Sequence, residues 1–279
     1  MSAVQRGEIA SPSLPRQRLS DVLRAEIARR RRPGGIAVGL WIAVALGLAF
    51  GGGMLAILLT VAPAVDAQLT DGTLRLAVTG SLEAAATGAI IPLMLAVTSA
   101  AARDTRGQFA TALAVVPRRS RFLGARTLAD VAYGGGTVLF TTGIIAALTM
   151  IFAQGAIYGD LVLLILLTAT LAGIWLTILA SALGVLFRSA VLAVLTVIGL
   201  MLVFPLVVGL VGGMLPAGAS GVVTAISQAM PGALLVKAIS VSTLSELGAG
   251  QILTGQLWLL AWTVVVGTAA WIVARRRDA

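Results

Sequence analysis

Residues Arg103–Arg121, with the sequence RDTRGQFATALAVVPRRSR, form a polar, Arg-rich stretch between two long apolar runs. The chain of 279 residues around this stretch is 58% hydrophobic and only 11% charged, and its mean hydropathy is +1.01. A soluble domain cannot hide that fraction of apolar side chains in a single core. The sequence therefore predicts an integral membrane protein in which Arg103–Arg121 meets water.

The composition excludes most kinds of catalytic and cofactor site. The chain has no Cys and no His, so it cannot build a zinc or haem site, a Cys nucleophile or a Ser-His triad. Its one Lys, Lys237, stands outside any GxxxxGK[ST] phosphate loop. We expect no catalytic residue, no metal site and no cofactor in this chain. The net charge of +9 lies in Arg clusters beside apolar runs with few aromatics, which predicts no nucleic-acid binding.

Apolar runs of about 20 residues, enough to cross a bilayer, occur at six places in the chain. They are Gly35–Val61, Leu82–Ala102, Thr127–Phe152, Leu161–Phe187, Val191–Gly213 and Gln256–Ala274. The sequence thus predicts an all-α integral membrane protein with a six-span domain over residues 35–279. The polar residues 1–18 are predicted to be disordered.

Residues 19–34 have a helical pattern, in which aliphatic residues share one face and Arg29–Arg32 fall in the last turn before Pro33-Gly34. Glu26 falls on the apolar side of this helix. One interpretation is a basic retention signal on the cytoplasmic side. The other is an interfacial amphipathic helix that also contacts a partner subunit and membrane lipid.

An even number of spans places both termini on the same side of the membrane. The basic clusters Arg29–Arg32, Arg103–Arg126 and Arg275–Arg277 all fall on that side, together with Arg188. By the positive-inside rule this side is cytoplasmic. We therefore expect a multi-pass protein of a bacterial cell membrane with both termini in the cytoplasm.

Small residues recur at every fourth position in the first two spans, as at Gly39, Ala43, Gly47 and Gly51. Such stripes let helices approach closely, either within one chain or between two copies. Proline residues interrupt the second and fifth spans, where Pro92 and Pro205 are expected to produce bends.

Ionisable residues are scarce in the spans. The pattern places Asp130 near a cytoplasmic end and Glu83 near an outer end, with no charge at mid-depth. Ion-coupled carriers usually keep such a group there, so ion-coupled transport and a charged pore are disfavoured. The apolar but broken stretch Met214–Gly255 predicts two short helices that dip into or lie on the outer leaflet.

The opening stretch itself favours a helix over Arg103–Val116, ended by Pro117. Phe109 and Leu113 fall on one side of this helix, whereas Gln108 and Thr111 fall on the other. Such a surface helix would act as a rigid handle on the second and third spans. The alternative is a basic loop that only obeys the positive-inside rule.

The stretch Ala102–Arg126, containing VPRRSRFLGAR, resembles the coupling region of ABC type-2 exporter permeases, in which a short helix rests in a groove of an ATPase subunit. The basic helix Leu19–Arg32, the turn LGVLFRS at Leu183–Ser189 and the closing ARRRDA are also similar to that family. Gly107, Pro117, Arg118, Arg119 and Arg126 match the family's pattern best. The family usually has Gly-Glu at the head of the coupling helix, whereas this chain has Ala102-Arg103, with Asp104 one position later.

The resemblance implies a half-transporter: a permease domain paired with a second identical or related permease and with two ATP-binding subunits, which carry ATP and Mg. The implied ATPase-coupling residues are Arg103, Asp104, Arg106, Gly107, Gln108, Thr111, Pro117, Arg118, Arg119 and Arg121. Export of a hydrophobic or amphipathic substrate is expected, namely a drug-like compound, a peptide or a lipid.

The substrate cavity is expected between the second and fifth spans. Its expected lining residues are Thr87, Pro92, Met94, Thr98, Phe204 and Pro205. The alternative function is that of a non-transporting membrane scaffold or immunity protein, which would recruit a cytosolic partner through the same basic helix.

Overall fold

The computed structural model describes residues 19–30, 36–65, 71–107, 119–152, 158–214, 217–241 and 249–277. Every regular element in these ranges is helical. Six stretches are long and apolar enough to cross a membrane, which confirms the predicted all-helical, multi-span character. The predicted disordered residues 1–18 lie outside the described ranges.

The helices follow one another with short connections. They are α1 (Leu19–Arg30), α2 (Ala37–Val65), α3 (Asp71–Gly107), α4 (Arg119–Phe152), α5 (Gly159–Phe187), α6 (Ala190–Ile198), a π-helical turn (Gly199–Val203), α7 (Phe204–Met214), α8 (Ala217–Gln228), α9 (Pro231–Ile239) and α10 (Ala249–Arg277). The α6–π–α7 unit forms the fifth span, and α10 forms the sixth.

Helices α3, α4 and α10 extend well beyond the spans predicted for them; α10 runs from Ala249 to Arg277, whereas the sixth span was expected at Gln256–Ala274. The second span was expected at Leu82–Ala102, but α3 runs from Asp71 to Gly107. The third was expected to begin at Thr127, but α4 begins at Arg119, soon after Pro117. Hydropathy marks only the apolar part of a helix, and Arg and Ala continue a helix readily once it has formed. Helices α3 and α4 therefore take residues from the polar stretch that separates them.

Helix α3 is the central helix of the bundle and packs chiefly against α2 and α5. About 56% of its apolar window is buried, against 17% for the α6–π–α7 span. The small-residue stripe of α2 faces α3 within the chain, because a Cβ on Gly51 would lie 2.6 Å from the Cβ of Ala85. For these positions the structure supports close packing within one chain.

A π-helical turn, Gly199–Val203, directly precedes α7, near the start of which Pro205 lies. The N–H of Phe204 donates to the carbonyl of Gly199, five residues back, and Pro205 itself has no N–H to donate. The carbonyl of Met201 instead lies against Gly232 of α9, where any Cβ would overlap it. Only glycine therefore fits at position 232. Helix α3, by contrast, runs unbroken through Pro92.

The stretch between α7 and α10 forms the two short helices that the sequence predicts. Helices α8 and α9 meet at a 72° bend. The Trp262 indole N–H donates to Ala229 at this bend (2.9 Å), and the Gln256 side chain donates to Ala238 near the end of α9 (3.2 Å). Helix α9 therefore runs antiparallel to α10. With a rise of about 1.5 Å per residue, the bend lies roughly 20 Å along α10 from Ala249, so the pair dips deep into the bundle.

Candidate functional site at the basic end of the bundle

The end of the bundle where α3 and α10 finish and α4 begins is called the basic end here, because it carries Arg103, Arg126 and Arg275. Its placement in the cytoplasm stays a prediction. At this end α1 packs against α4. The packed face of α1 carries Val22, Glu26 and Arg30, spaced four residues apart and all buried.

Arg30 makes the contacts that fix α1 on α4. Its Nη1 donates to Oδ1 of Asp130, and its Nε lies 3.6 Å from Oε1 of Glu26. The three side chains are almost fully buried, with exposed fractions of 2–6%. In the sequence pattern Glu26 falls on the apolar side of the predicted helix, and Arg30 belongs to its basic last turn. Both lie on the docking face of α1, where the Arg30 guanidinium is the counter-ion of the Glu26 and Asp130 carboxylates.

Three further contacts orient Arg30 and α1 on α4. The Tyr133 hydroxyl donates to the carbonyl of Ile27 (3.3 Å), and the Arg30 guanidinium stands 5.8 Å from the Tyr133 ring centroid. Nη2 of Arg30 also donates to the backbone carbonyl of Arg126 (3.5 Å). Arg126, Asp130 and Tyr133 lie at helical spacing on α4 and so present one face to α1. Directional bonds, rather than lipid contact alone, hold this helix in place.

A second ion pair joins α4 to the end of α3. Nη2 of Arg126 lies 3.6 Å from Oδ2 of Asp104, and the Arg126 side chain is only 5% exposed. Glu26, Arg30, Asp104, Arg126 and Asp130 together form what is here termed the ion cluster. It connects α1, α3 and α4.

The ion cluster borders a small cavity towards α5 and α10. The cavity has a volume of about 110 Å³, and Arg126, Asp130, Ser181 and Trp271 are among its lining residues. Within the described part of the chain, Nε and Nη1 of Arg126 are buried without a hydrogen-bond partner. The cavity has polar groups in its wall and is large enough for water molecules that would satisfy these two donors.

The predicted coupling residues fall into three groups. Arg103 is exposed and donates from Nε to the carbonyl of Ser99 (3.3 Å), whereas Asp104 belongs to the ion cluster. Arg106 and Gly107 end α3, and Arg119 and Arg121 lie in the first turn of α4. Gln108, Thr111, Pro117 and Arg118 lie outside the described residues. The helix predicted over Arg103–Val116 is corrected at its start, because its first five residues continue α3.

A cavity of about 640 Å³, here called the apolar groove, lies between α2, α3 and α9. Thr87 and Pro92 line it, as the sequence had suggested. Met94 and Thr98 are instead buried in helix packing, where the Thr98 hydroxyl donates to Ala180 of α5 (3.1 Å).

Phe204 and Pro205 lie on α7, outside the groove lining. The groove is thus bounded by the first and second spans and α9, whereas the prediction placed the cavity between the second and fifth spans. The dip of α8 and α9 into the bundle accounts for the difference. Contact of any of these residues with a substrate stays a prediction.

The sequence pattern singled out Glu26 and Asp130 but did not pair either of them with Arg30. The signal was present, because an acid inside an apolar span calls for a buried cation and α1 ends in a run of arginines. Which arginine of that run pairs with Asp130 depends on how α1 lies on α4.

In the described ranges no group of three or more acidic side chains is placed to hold a metal ion. Comparison of the chain with family models, curated proteins and solved structures gave no match.

Proposed function

We propose that this chain is the transmembrane permease subunit of an ATP-driven exporter of the ABC type-2 kind, in a bacterial cell membrane with both termini in the cytoplasm. Two separate ATP-binding subunits would supply ATP and Mg, and a second permease copy or a related chain would complete the transporter. The observation that carries the proposal is the ion cluster. It ties α1 to α3 and α4, the two helices that flank the segment Gln108–Arg118.

Through the ion cluster, movement of that segment would be passed on to α1, α3 and α4. A soluble subunit that moves the segment would move the end of α3 and the start of α4, because each continues as a rigid helix into the bundle. Charge pairs that are shielded from water resist separation more than exposed pairs do. Helix α1 would therefore follow the same movement. Since α3 is the central helix, its displacement would reach α2 and α5.

The surface available to an ATPase is strongly basic. Arg103 is exposed at the end of α3, and the sequence adds Arg118, Arg119 and Arg121. Asp104 is engaged by Arg126 within the chain, so the coupling surface would offer cations rather than the expected carboxylate. An acidic groove on the ATPase subunit is the complementary partner surface.

The apolar groove favours an exporter over the scaffold alternative. A scaffold needs only the basic surface, whereas the groove has the volume of a site for a drug-sized molecule, on the order of 300–1,000 Å³, at about 640 Å³. Its lining from α2, α3 and α9 is almost entirely apolar. A hydrophobic or amphipathic substrate would suit it.

The test is co-purification of the chain from native membranes, followed by ATPase measurement. We expect an ATP-binding subunit to co-purify and its ATP hydrolysis to change when it binds the chain. The Arg118→Glu/Arg119→Glu variant should abolish both effects. The matched control Arg275→Glu/Arg276→Glu reverses two charges at the same end, and it should keep both. Recovery of the chain with no ATPase, or equal loss in both variants, would contradict the proposal.

A further inference from the structure

The apolar groove contains an ionisable group that the sequence pattern had placed near the outer end of the second span. Its walls come from α2, α3 and α9, and they include the aliphatic and aromatic side chains of Leu46, Phe50, Ile91 and Val236. Among the lining residues that the structure describes, Glu83 is the one with an ionisable side chain. Thr87 and Ser240 add hydroxyl groups.

Glu83 is inside the bundle because α3 begins earlier than hydropathy suggested. The apolar window of α3 extends over Leu74–Thr105, so Glu83 has more than two helical turns of α3 on its N-terminal side. Its Oε1 accepts the backbone N–H of Val241, just after α9, at 2.6 Å. This contact holds the carboxyl group at the wall of the groove, where α9 meets α3.

A carboxylate at an apolar wall discriminates between ions by the sign of their charge. Its attraction for a cation, and its repulsion of an anion, are several times stronger there than in bulk water because the effective dielectric constant is lower. The apolar walls contribute affinity for the body of a hydrophobic ligand, independently of that ligand's charge. Phe50 adds an aromatic face, which also favours cations.

We propose that the apolar groove binds lipophilic cations of drug-like size, with the Glu83 carboxylate as their counter-ion. The proposal narrows the substrate class of the proposed exporter and rests on that function for its role in transport. Binding itself requires only this chain. It also replaces the expectation that the spans offer no charge to hold an ionic substrate.

The test uses the purified full chain in lipid nanodiscs and two probes of nearly equal size and shape, tetraphenylphosphonium and tetraphenylborate. Equilibrium dialysis against protein-free nanodiscs corrects for partition into lipid. We expect the chain to bind the cation in preference to the anion. Glu83→Gln should weaken cation binding by about tenfold or more, a loss in the range of a removed buried charge pair. Gln can still accept the Val241 N–H, so this change removes the charge and keeps the hydrogen bond.

Two further variants separate charge from shape. Asp160→Asn removes an exposed carboxylate at the start of α5 and should leave both affinities unchanged. Val236→Trp narrows the groove without altering its charge, and it should weaken both probes alike. Equal binding of the two probes, cation binding that survives Glu83→Gln, or a loss equally large in Asp160→Asn would each overturn the proposal.

Failure of this inference differs from failure of the proposed function. If an ATPase co-purifies but cation binding does not depend on Glu83, the exporter stands and the substrate class is wrong. If cations bind through Glu83 but no ATPase is recovered, the site stands and the exporter does not. A groove covered by a second copy of the chain would bind neither probe, and that result also counts against the inference.

Discussion

Asp130 and Glu83 are both carboxylates within membrane-spanning helices, but their surroundings differ. Asp130 is 2% exposed and is held by Arg30 within the ion cluster, where α1 covers it. Glu83 is partly exposed, accepts a backbone N–H from Val241 and faces the apolar groove. Asp130 lies in an ion pair with Arg30, whereas Glu83 lies at the wall of a space of ligand size.

The difference shows how one chemical group can serve two purposes in a bundle. A buried charge pair contributes little net stability but is costly to break, so it fixes the position of the helix that carries its partner. A carboxylate at an apolar groove stabilises a bound cation instead. We therefore expect changes at Asp130 to affect folding and coupling, and changes at Glu83 to affect binding.

The largest expected effect is that of Asp130→Asn, which leaves the Arg30 guanidinium buried without its main counter-ion. The free energy of unfolding should fall by about 3 kcal/mol or more, as measured by SDS titration in mixed micelles. The matched change Glu83→Gln should cost less than about 1 kcal/mol, because the amide oxygen can replace the carboxylate as acceptor for Val241. Equal losses in the two variants would remove the contrast between the sites.

A double-mutant cycle sharpens the same contrast. Arg30→Gln/Asp130→Asn should be more stable than the sum of the two single losses predicts, because no unpaired charge remains buried. Additive losses would show that the two side chains do not act as a pair.

The next effect concerns the wall of the groove that α9 provides. Gly232→Leu should destabilise the protein by about 1–3 kcal/mol, because its side chain would overlap the Met201 carbonyl. It should also weaken tetraphenylphosphonium binding, since displacement of α9 moves Val241 away from Glu83. Gly221→Leu on α8 is the control, because a Cβ there meets open space. A Gly221 variant as unstable as the Gly232 variant would contradict this account of the α9 contact.

The smallest effect is expected at the edge of the ion cluster. Tyr133→Phe removes the hydroxyl that donates to Ile27, and it should lower the free energy of unfolding by about 0.5–1.5 kcal/mol. In the Arg30→Gln/Asp130→Asn background the loss should become smaller, because α1 is already held less firmly. An undiminished loss there would show that Tyr133 acts independently of the ion cluster.

Hydropathy and turn residues were sufficient to predict the helical class, the number of spans and the two short helices before α10. They were insufficient for the ends of α3 and α4, because charged residues continue a helix after the apolar run has ended. The ion cluster depends on contacts between residues about a hundred positions apart, such as Arg30 and Asp130. The local periodicity of the sequence cannot show which residues of two distant helices lie opposite each other.

The position of the groove could not be predicted from the sequence for a related reason. Thr87 and Pro92, which the sequence suggested as cavity-lining residues, line the groove, and their contact with a substrate stays a prediction. The other wall of the groove comes from α9, whose depth is set by the fit of Gly232 against Met201. That fit is a contact between residues about thirty positions apart, which local periodicity does not reveal.

The central claim is that ATP hydrolysis by a partner drives transport through this chain. The most direct test is uptake of tetraphenylphosphonium into inside-out vesicles that contain the chain and its ATPase partner. Our account predicts uptake that requires ATP, persists when the proton gradient is collapsed, and is lost in Arg118→Glu/Arg119→Glu. Uptake that ignores ATP and follows the proton gradient would contradict it.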